Sequence, residues 1–181
     1  FEVNQHGGVR WNTARGFLRP AMQRPNLRVM THAHTDGLIL EGKRVTGVRF
    51  THKGRALRAV AEGEGLLAAG AINSPQILQL SGIGPAEVLR EHGIKVLRDA
   101  PVGENLQDHL TINTQRAMEN IPTFYEETRP LSMAKNLLKL AFKRKGLLIH
   151  PASQVGAFFK TSDDLELPDA QIHFTPAAGE K

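Results

Sequence analysis

The chain has 181 residues and a net charge of +5, with 40% hydrophobic and 23% charged positions, an ordinary globular balance with enough chain for a sizeable core. The absence of Cys removes disulfides, thiolate metal sites and thiol catalysis, and fits a reducing, cytoplasmic setting. No apolar run approaches the roughly 18 residues of a membrane span, and cations scattered among acids with few aromatics argue against a nucleic-acid platform.

In chain order, Asn12 or Thr13 caps a short helix whose apolar positions Ala14, Phe17, Leu18 and Ala21 fall at helical spacing, with Pro20 kinking or shortening it. Arg24-Pro25-Asn26 is a turn. From Leu27 the period becomes two, and 27–40, 45–50 and 57–61 read as strands of an antiparallel meander, separated by Glu41-Gly42-Lys43 and Lys53-Gly54. Leu66 to Ala71 reads as a fully buried strand. Ser74 is the expected N-cap of the next helix with Pro75 at its first position. Ser81-Gly82 ends that helix, and Gly84-Pro85 opens another that stops at Gly93.

Beyond His109 the character changes. Residues 110–116 read as a strand, 119–130 as an irregular loop, and Met133 to Lys145 as a basic amphipathic helix. Two further strands, 153–160 and 170–174, flank an acidic loop. The fold class expected is mixed α+β, with a domain boundary after residue 109: 1–109 in one domain and 110–181 beginning a second.

The stretch Gly70-Ala71-Ile72-Asn73-Ser74-Pro75 through Gly82-Ile83-Gly84-Pro85 closely resembles the second signature of the glucose–methanol–choline (GMC) oxidoreductases, flavoenzymes that oxidise alcohols with FAD. Gly8 to Ala21 leading into Arg24-Pro25-Asn26-Leu27, and Pro101-Val102-Gly103-Glu104-Asn105-Leu106-Gln107-Asp108-His109, are similar to two more of the family's runs in the family's order. Thr31 to Asp36 and Glu41 to Arg44 look most like its choline dehydrogenase branch. The resemblance implies that 1–109 is part of an FAD-binding Rossmann-like domain carrying the antiparallel meander, and that 110–181 begins a sheet-based substrate domain. It also implies a small alcohol substrate, choline or similar, converted to an aldehyde by hydride transfer to FAD. An oxidase, or a dehydrogenase for another alcohol, is the alternative within the family, and a truncated non-catalytic fragment is the alternative outside it.

The resemblance places the flavin's adenine edge at the main chain of Thr35, and the cofactor against the small residues Gly70 and Ala71. Close helix–strand packing wants small residues equally. The family's dinucleotide fingerprint is absent, and its catalytic His and partner are expected beyond Lys181, so the chain reads as an internal piece without catalytic residues of its own. Gly63-Glu64-Gly65-Leu66-Leu67-Ala68 fits G-x-G-x-x-A by letters but is expected to lead into a strand, which the motif forbids.

Other candidates have blander readings. His32 and His34 lie two apart, as metal ligands on one strand face do, yet no third ligand is evident, so they read as surface or interface histidines. Asp108 and His109 are adjacent and so point apart, which speaks against an acid–base dyad. Lys135, Lys139 and Lys143 form an i, i+4 stripe beside an apolar side of Met133, Leu137, Leu140 and Ala141, widened by Leu138 and Phe142. A solvated face over the substrate domain's sheet is the preferred reading of that helix. Peripheral contact with an anionic membrane is the alternative. Gln154, Phe158, Gln171 and His173 alternate along the late strands and are candidates to line a substrate cavity, although Phe158 and Phe159 are of the type that fills cores.

Overall fold

The computed structural model describes residues 4–116, 123–149, 153 and 155–175. Contacts divide the chain into two compact units, one of 28–111 and one combining 1–27 with 112–181.

In the second of these, β1 (Gln5–His6) and β2 (Val9–Arg10) form a hairpin over Gly7-Gly8, both with positive φ, as a tight two-residue turn requires. A Cβ at Gly8 would overlap the Arg144 carbonyl, so this turn lies against the end of a later helix. Asn12 caps the following helix as expected, its Oδ1 accepting the Arg15 N–H at 3.0 Å. A π-helical turn, Ala14–Leu18, then runs into α1 (Arg19–Ala21). The Arg19 N–H reaches back to the Ala14 carbonyl, and Pro20, with no N–H of its own, shortens the helix.

The meander holds in the other unit as β3 (Ala33–Glu41), β4 (Arg44–His52) and β5 (Arg55–Val60), antiparallel in that order. Lys53 and Gly54 both have positive φ in a two-residue hairpin loop. Asp36-Gly37 is a β-bulge within one strand, as read from the sequence, because the register slips between Thr35 and Gly37. The expected strand from Leu27 is corrected at its start. Residues 27–32 are not strand, because β4 ends at His52 opposite Ala33 and the chain there turns back, leaving nothing to pair with earlier residues.

The buried strand expected over 66–71 does not form. Leu66 is 88% exposed, and this extended segment has no ladder partner among the described residues, without which an apolar run is no strand. The helix instead begins earlier, as α2 (Gly70–Leu80). Ser74 and Pro75 therefore lie inside it and do not cap it. Its C-terminus follows the sequence reading, with Ser81 as C-cap and Gly82 at φ +84°. Next come β6 (Ile83–Gly84), α3 (Ala86–Glu91), stopped by Gly93 at φ +66°, and β7 (Arg98–Asp99). Strands β6 and β7 pair in parallel across α3, a minimal βαβ turn that apolar periodicity did not reveal.

Residues 110–116 are not strand either, for the same lack of a partner, and Leu110 is 97% exposed. Part of the expected loop is helical: α4 (Phe124–Glu127), followed by α5 (Pro130–Lys143), which starts on its proline and ends at Arg144 in the left-handed region. A 3-10 turn (Leu147–Ile149) follows, and Gln5 donates to the Ile149 carbonyl at 2.8 Å. Strands β8 (Val155–Phe159) and β9 (Ala170–Phe174) pair antiparallel around the acidic loop.

Candidate functional site

Helix α2 organises the unit of 28–111. Its C-terminal end is fixed to the sheet by Ser81, a buried side chain whose Oγ accepts the Leu38 N–H at 2.8 Å and donates to the Ile77 carbonyl at 2.6 Å. Two residues earlier, Gln79 donates to the Val102 carbonyl at 2.8 Å and so pins the run of 101–109 to the helix. Three stretches that are distant in sequence thus meet on one helix: the strand carrying Thr35, the 70–85 signature and the 101–109 run. Sequence reading missed both side chains. Ser81 looked only like a helix terminator, and nothing marked Gln79.

The other end of α2 is open. Gly70 has φ +89° and nothing within 4 Å of a Cβ built on it, and Gly70, Ala71, Ile72 and Asn73 are exposed. Within this chain Gly70 is therefore needed for its backbone conformation and not for close packing. The Ala69 N–H is taken by the Ser74 hydroxyl at 3.0 Å. The N–H groups of Gly70, Ala71 and Ile72 point out of the first turn with no intrahelical acceptor, at the positive end of the helix dipole. Pro75 has no N–H to give the Ala71 carbonyl, which opens the first turn further. Such an end accepts a phosphate or other anion without reorganisation.

Thr35 is half-buried on β3, an edge strand of the sheet, immediately before the bulge. An edge strand turns alternate main-chain groups away from its partner, and a bulge breaks the ladder locally, so main-chain recognition of a heteroaromatic edge is available here. Gly70 and Ala71 are brought together at the start of α2. Thr35 joins the same unit through Leu38 and Ser81, but that link is at the opposite end of the helix, about 16 Å along its axis from Gly70. These residues suit the two ends of an elongated anionic dinucleotide such as FAD. A hollow of about 310 Å³ nearby is lined by Pro85, Asp99, Ala100, Pro101 and Glu104, and its two carboxylates repel an anion.

The Gly63-x-Gly65-x-x-Ala68 run is flanked differently from the expectation, since it leads into an extended segment and then α2. The strand before it, β5, is antiparallel to its neighbour, so the parallel βαβ context of a dinucleotide fingerprint is still missing. His32 has φ 55° and stands outside β3, which removes the shared strand face from the pair with His34. The Asp108 carboxylate accepts the backbone N–H of His109 at 2.8 Å, and both residues are exposed in a loop. On the late strands Phe158 stands opposite Gln171 and Gly156 opposite His173, so Phe158, Gln171 and His173 share one face. All three are exposed, and Phe158 and Phe159, read as core types, are 66% and 43% exposed. Gln154 lies outside the described residues.

Three carboxylates sit below their ordinary range, all in the unit of 1–27 and 112–181. Hydrogen bonds hold each one down: the Thr123 hydroxyl and N–H on Glu126, the Ser162 hydroxyl on Asp164, and the Thr161 hydroxyl and N–H on Asp169. Among the described residues there is no metal-ligand cluster and no helix long and apolar enough to cross a membrane.

Comparison with known proteins agrees with this arrangement. The chain is 44% identical to an oxygen-dependent choline dehydrogenase of Chromohalobacter salexigens, over 94% of this chain and 31% of that protein. It is 37% identical to an alcohol dehydrogenase [acceptor] of Pseudomonas putida, over 97% of this chain and 33% of that one. It thus spans about a third of the length of these relatives. Among solved structures, an FAD-dependent oxidoreductase from Chaetomium thermophilum superposes with a TM-score of 0.66 at 28% identity, covering 78% of this chain and 26% of that one. The family model for GMC oxidoreductase matches residues 1–111, the stretch that contains every feature of the α2 site, and the chain belongs to that family.

Proposed function

We propose that this chain is part of an FAD-dependent oxidoreductase that converts a primary alcohol, choline or a similar one, to its aldehyde, and that the chain's share is a portion of the flavin cradle. The observation that carries the reading is the open N-terminus of α2, where Gly70 holds φ +89° with no side chain in front of it, inside the stretch matched by the GMC model. When bound, FAD supplies the hydride acceptor. The first-turn N–H groups of Gly70 and Ala71 would hold anionic oxygen of the cofactor, and the main chain at Thr35 would hold its adenine edge. Ser81 and Gln79 keep the helix and the 101–109 run in place around them. Choline as substrate is supported by the relatives' names alone, since no residue described here selects a trimethylammonium group. We place the protein in the cytoplasm on its cysteine-free composition, and we assign 110–181 to the beginning of a substrate domain.

The test is the full-length protein, purified and incubated with FAD. A flavin absorption spectrum and steady-state oxidation of choline are expected. A protein that stays colourless overturns the cofactor, and rapid oxidation of an uncharged alcohol beside negligible choline turnover overturns the substrate. Gly70→Ala should weaken retention of FAD by roughly tenfold, because a Cβ at positive φ costs ~1–2 kcal/mol and displaces the first turn.

A further inference from the structure

Helix α5 packs into its unit with its polar side inward. The inward arc holds Ser132, Met133, Asn136 and Leu140, and Asn136, only 3% exposed, donates to the Glu127 carboxylate at 2.9 Å. Outward stand Leu131 at 71% exposure, Leu138 at 59% and Phe142 at 82%. With 3.6 residues per turn these three fall within about 40° of one another, and Lys135, Lys139 and Lys143 follow directly alongside. Arg144 and Lys145 extend the positive charge, and no acid occurs from 130 to 145. The nearest carboxylate, Glu127, is engaged inward by Asn136.

We propose that this face of α5 docks on an anionic lipid surface. An apolar row bordered by long cationic side chains is what an interfacial helix presents: the row enters the acyl boundary while the ammonium groups stay at the headgroups. Charge complementarity selects the occupant. The bare face of the β8–β9 ribbon, formed by Val155, Ala157, Phe159, Ala170, Ile172 and Phe174, is just as uncovered but has no charge on it, and nothing there points to a partner. The helix itself is held in this orientation from both ends, by Glu127 near its start and by the Gly7-Gly8 turn against Arg144 at its end. The proposal does not rest on the alcohol-oxidation reading.

The experiment is co-sedimentation of the full-length protein with vesicles of phosphatidylcholine alone and with vesicles of two parts phosphatidylcholine to one part phosphatidylserine. Binding to the second set only, reversed by high salt, is expected. The triple change Lys135→Gln, Lys139→Gln and Lys143→Gln should weaken it on the order of 100-fold. Phe142→Ser, which keeps every charge, should weaken it about tenfold. No sedimentation with the anionic vesicles, or equal sedimentation with both sets, overturns the proposal. Hydroxyl-radical footprinting of the unmutated, lipid-free protein gives a readout that needs no variant. Strong labelling of Leu131, Leu138 and Phe142 that falls on adding anionic vesicles supports the proposal. Protection before any lipid is added would mean that protein covers the row, and overturns it.

Discussion

The two units of this chain are stabilised in different ways. The unit of 28–111 contains every buried hydrophobic side chain among the described residues: Phe50 on β4, Ile77 on α2 and Leu89 on α3, the last only 1% exposed. Its elements converge from three sides, with α2 bonded to β3 through Ser81 and to the 101–109 run through Gln79. In the unit of 1–27 and 112–181 the one buried side chain described is polar, Asn136, and its apolar rows on α5 and the β8–β9 ribbon are exposed. That unit is held by hydrogen bonds that tie loops and helix ends: Asn136 to Glu127, Thr123 to Glu126, Thr161 to Asp169, Gln5 to Ile149. Apolar burial supplies most of the favourable free energy of folding, so the first unit has the more self-sufficient framework and the second depends more on whatever covers its apolar rows.

The comparison is broken or sharpened most by Leu89→Ala, which should cost ~2–5 kcal/mol by emptying the best-filled position in the chain. Hydrogen exchange should show amides of α2, α3 and β6 losing protection while those of β8 and β9 do not change. Equal loss in both units would show that they unfold as one. Ser81→Ala should cost less, ~1–3 kcal/mol, because it strips the Leu38 N–H of its acceptor. Its signature is earlier exchange at Leu38 in an otherwise native spectrum. Asn136→Ala probes the other unit and should cost ~1–2 kcal/mol, read as a lower denaturant midpoint, by leaving the half-buried Glu127 carboxylate without its donor.

The smallest effect expected is pH-dependent. The Thr161 hydroxyl and N–H depress the folded-state pKa of Asp169, so its contribution is present above the ordinary Asp value and is lost as pH falls through the depressed one. Asp169→Asn should therefore lower thermal stability slightly at neutral pH, with the difference from the unsubstituted protein vanishing in strong acid. Melts at a series of pH values between neutral and strongly acidic provide the check, and a difference that grows on acidification contradicts the assignment.

Local chemistry was legible wherever the chain alone decides it. Two-residue reversals at Gly42-Lys43 and Lys53-Gly54, the Asn12 cap, the stops at Gly82 and Gly93 and the span of β9 all follow from positive φ, side-chain capping and period-two alternation, which act within a few residues. The family was legible too, because its motifs place particular residue types at fixed spacing. Of the site, the start of α2 could be read as small residues near a helix N-terminus, but not the role of Gly70, whose conformation is what the position requires.

What only the tertiary structure decided is pairing and orientation. Leu66 to Ala71 and Leu110 to Arg116 have strand-like composition and no strand, because a strand exists through the hydrogen bonds of a neighbour and composition cannot supply one. Ser81 and Gln79 became anchors only when folding brought Leu38 and Val102 within reach, across separations of 43 and 23 residues. Helix α5 was legible as amphipathic, yet which side faces inward was set by the Asn136–Glu127 bond and by its neighbours, not by its own periodicity. Sequence determines the local conformations and the chemistry available; contacts between distant residues determine which of those conformations are kept and which face each one presents.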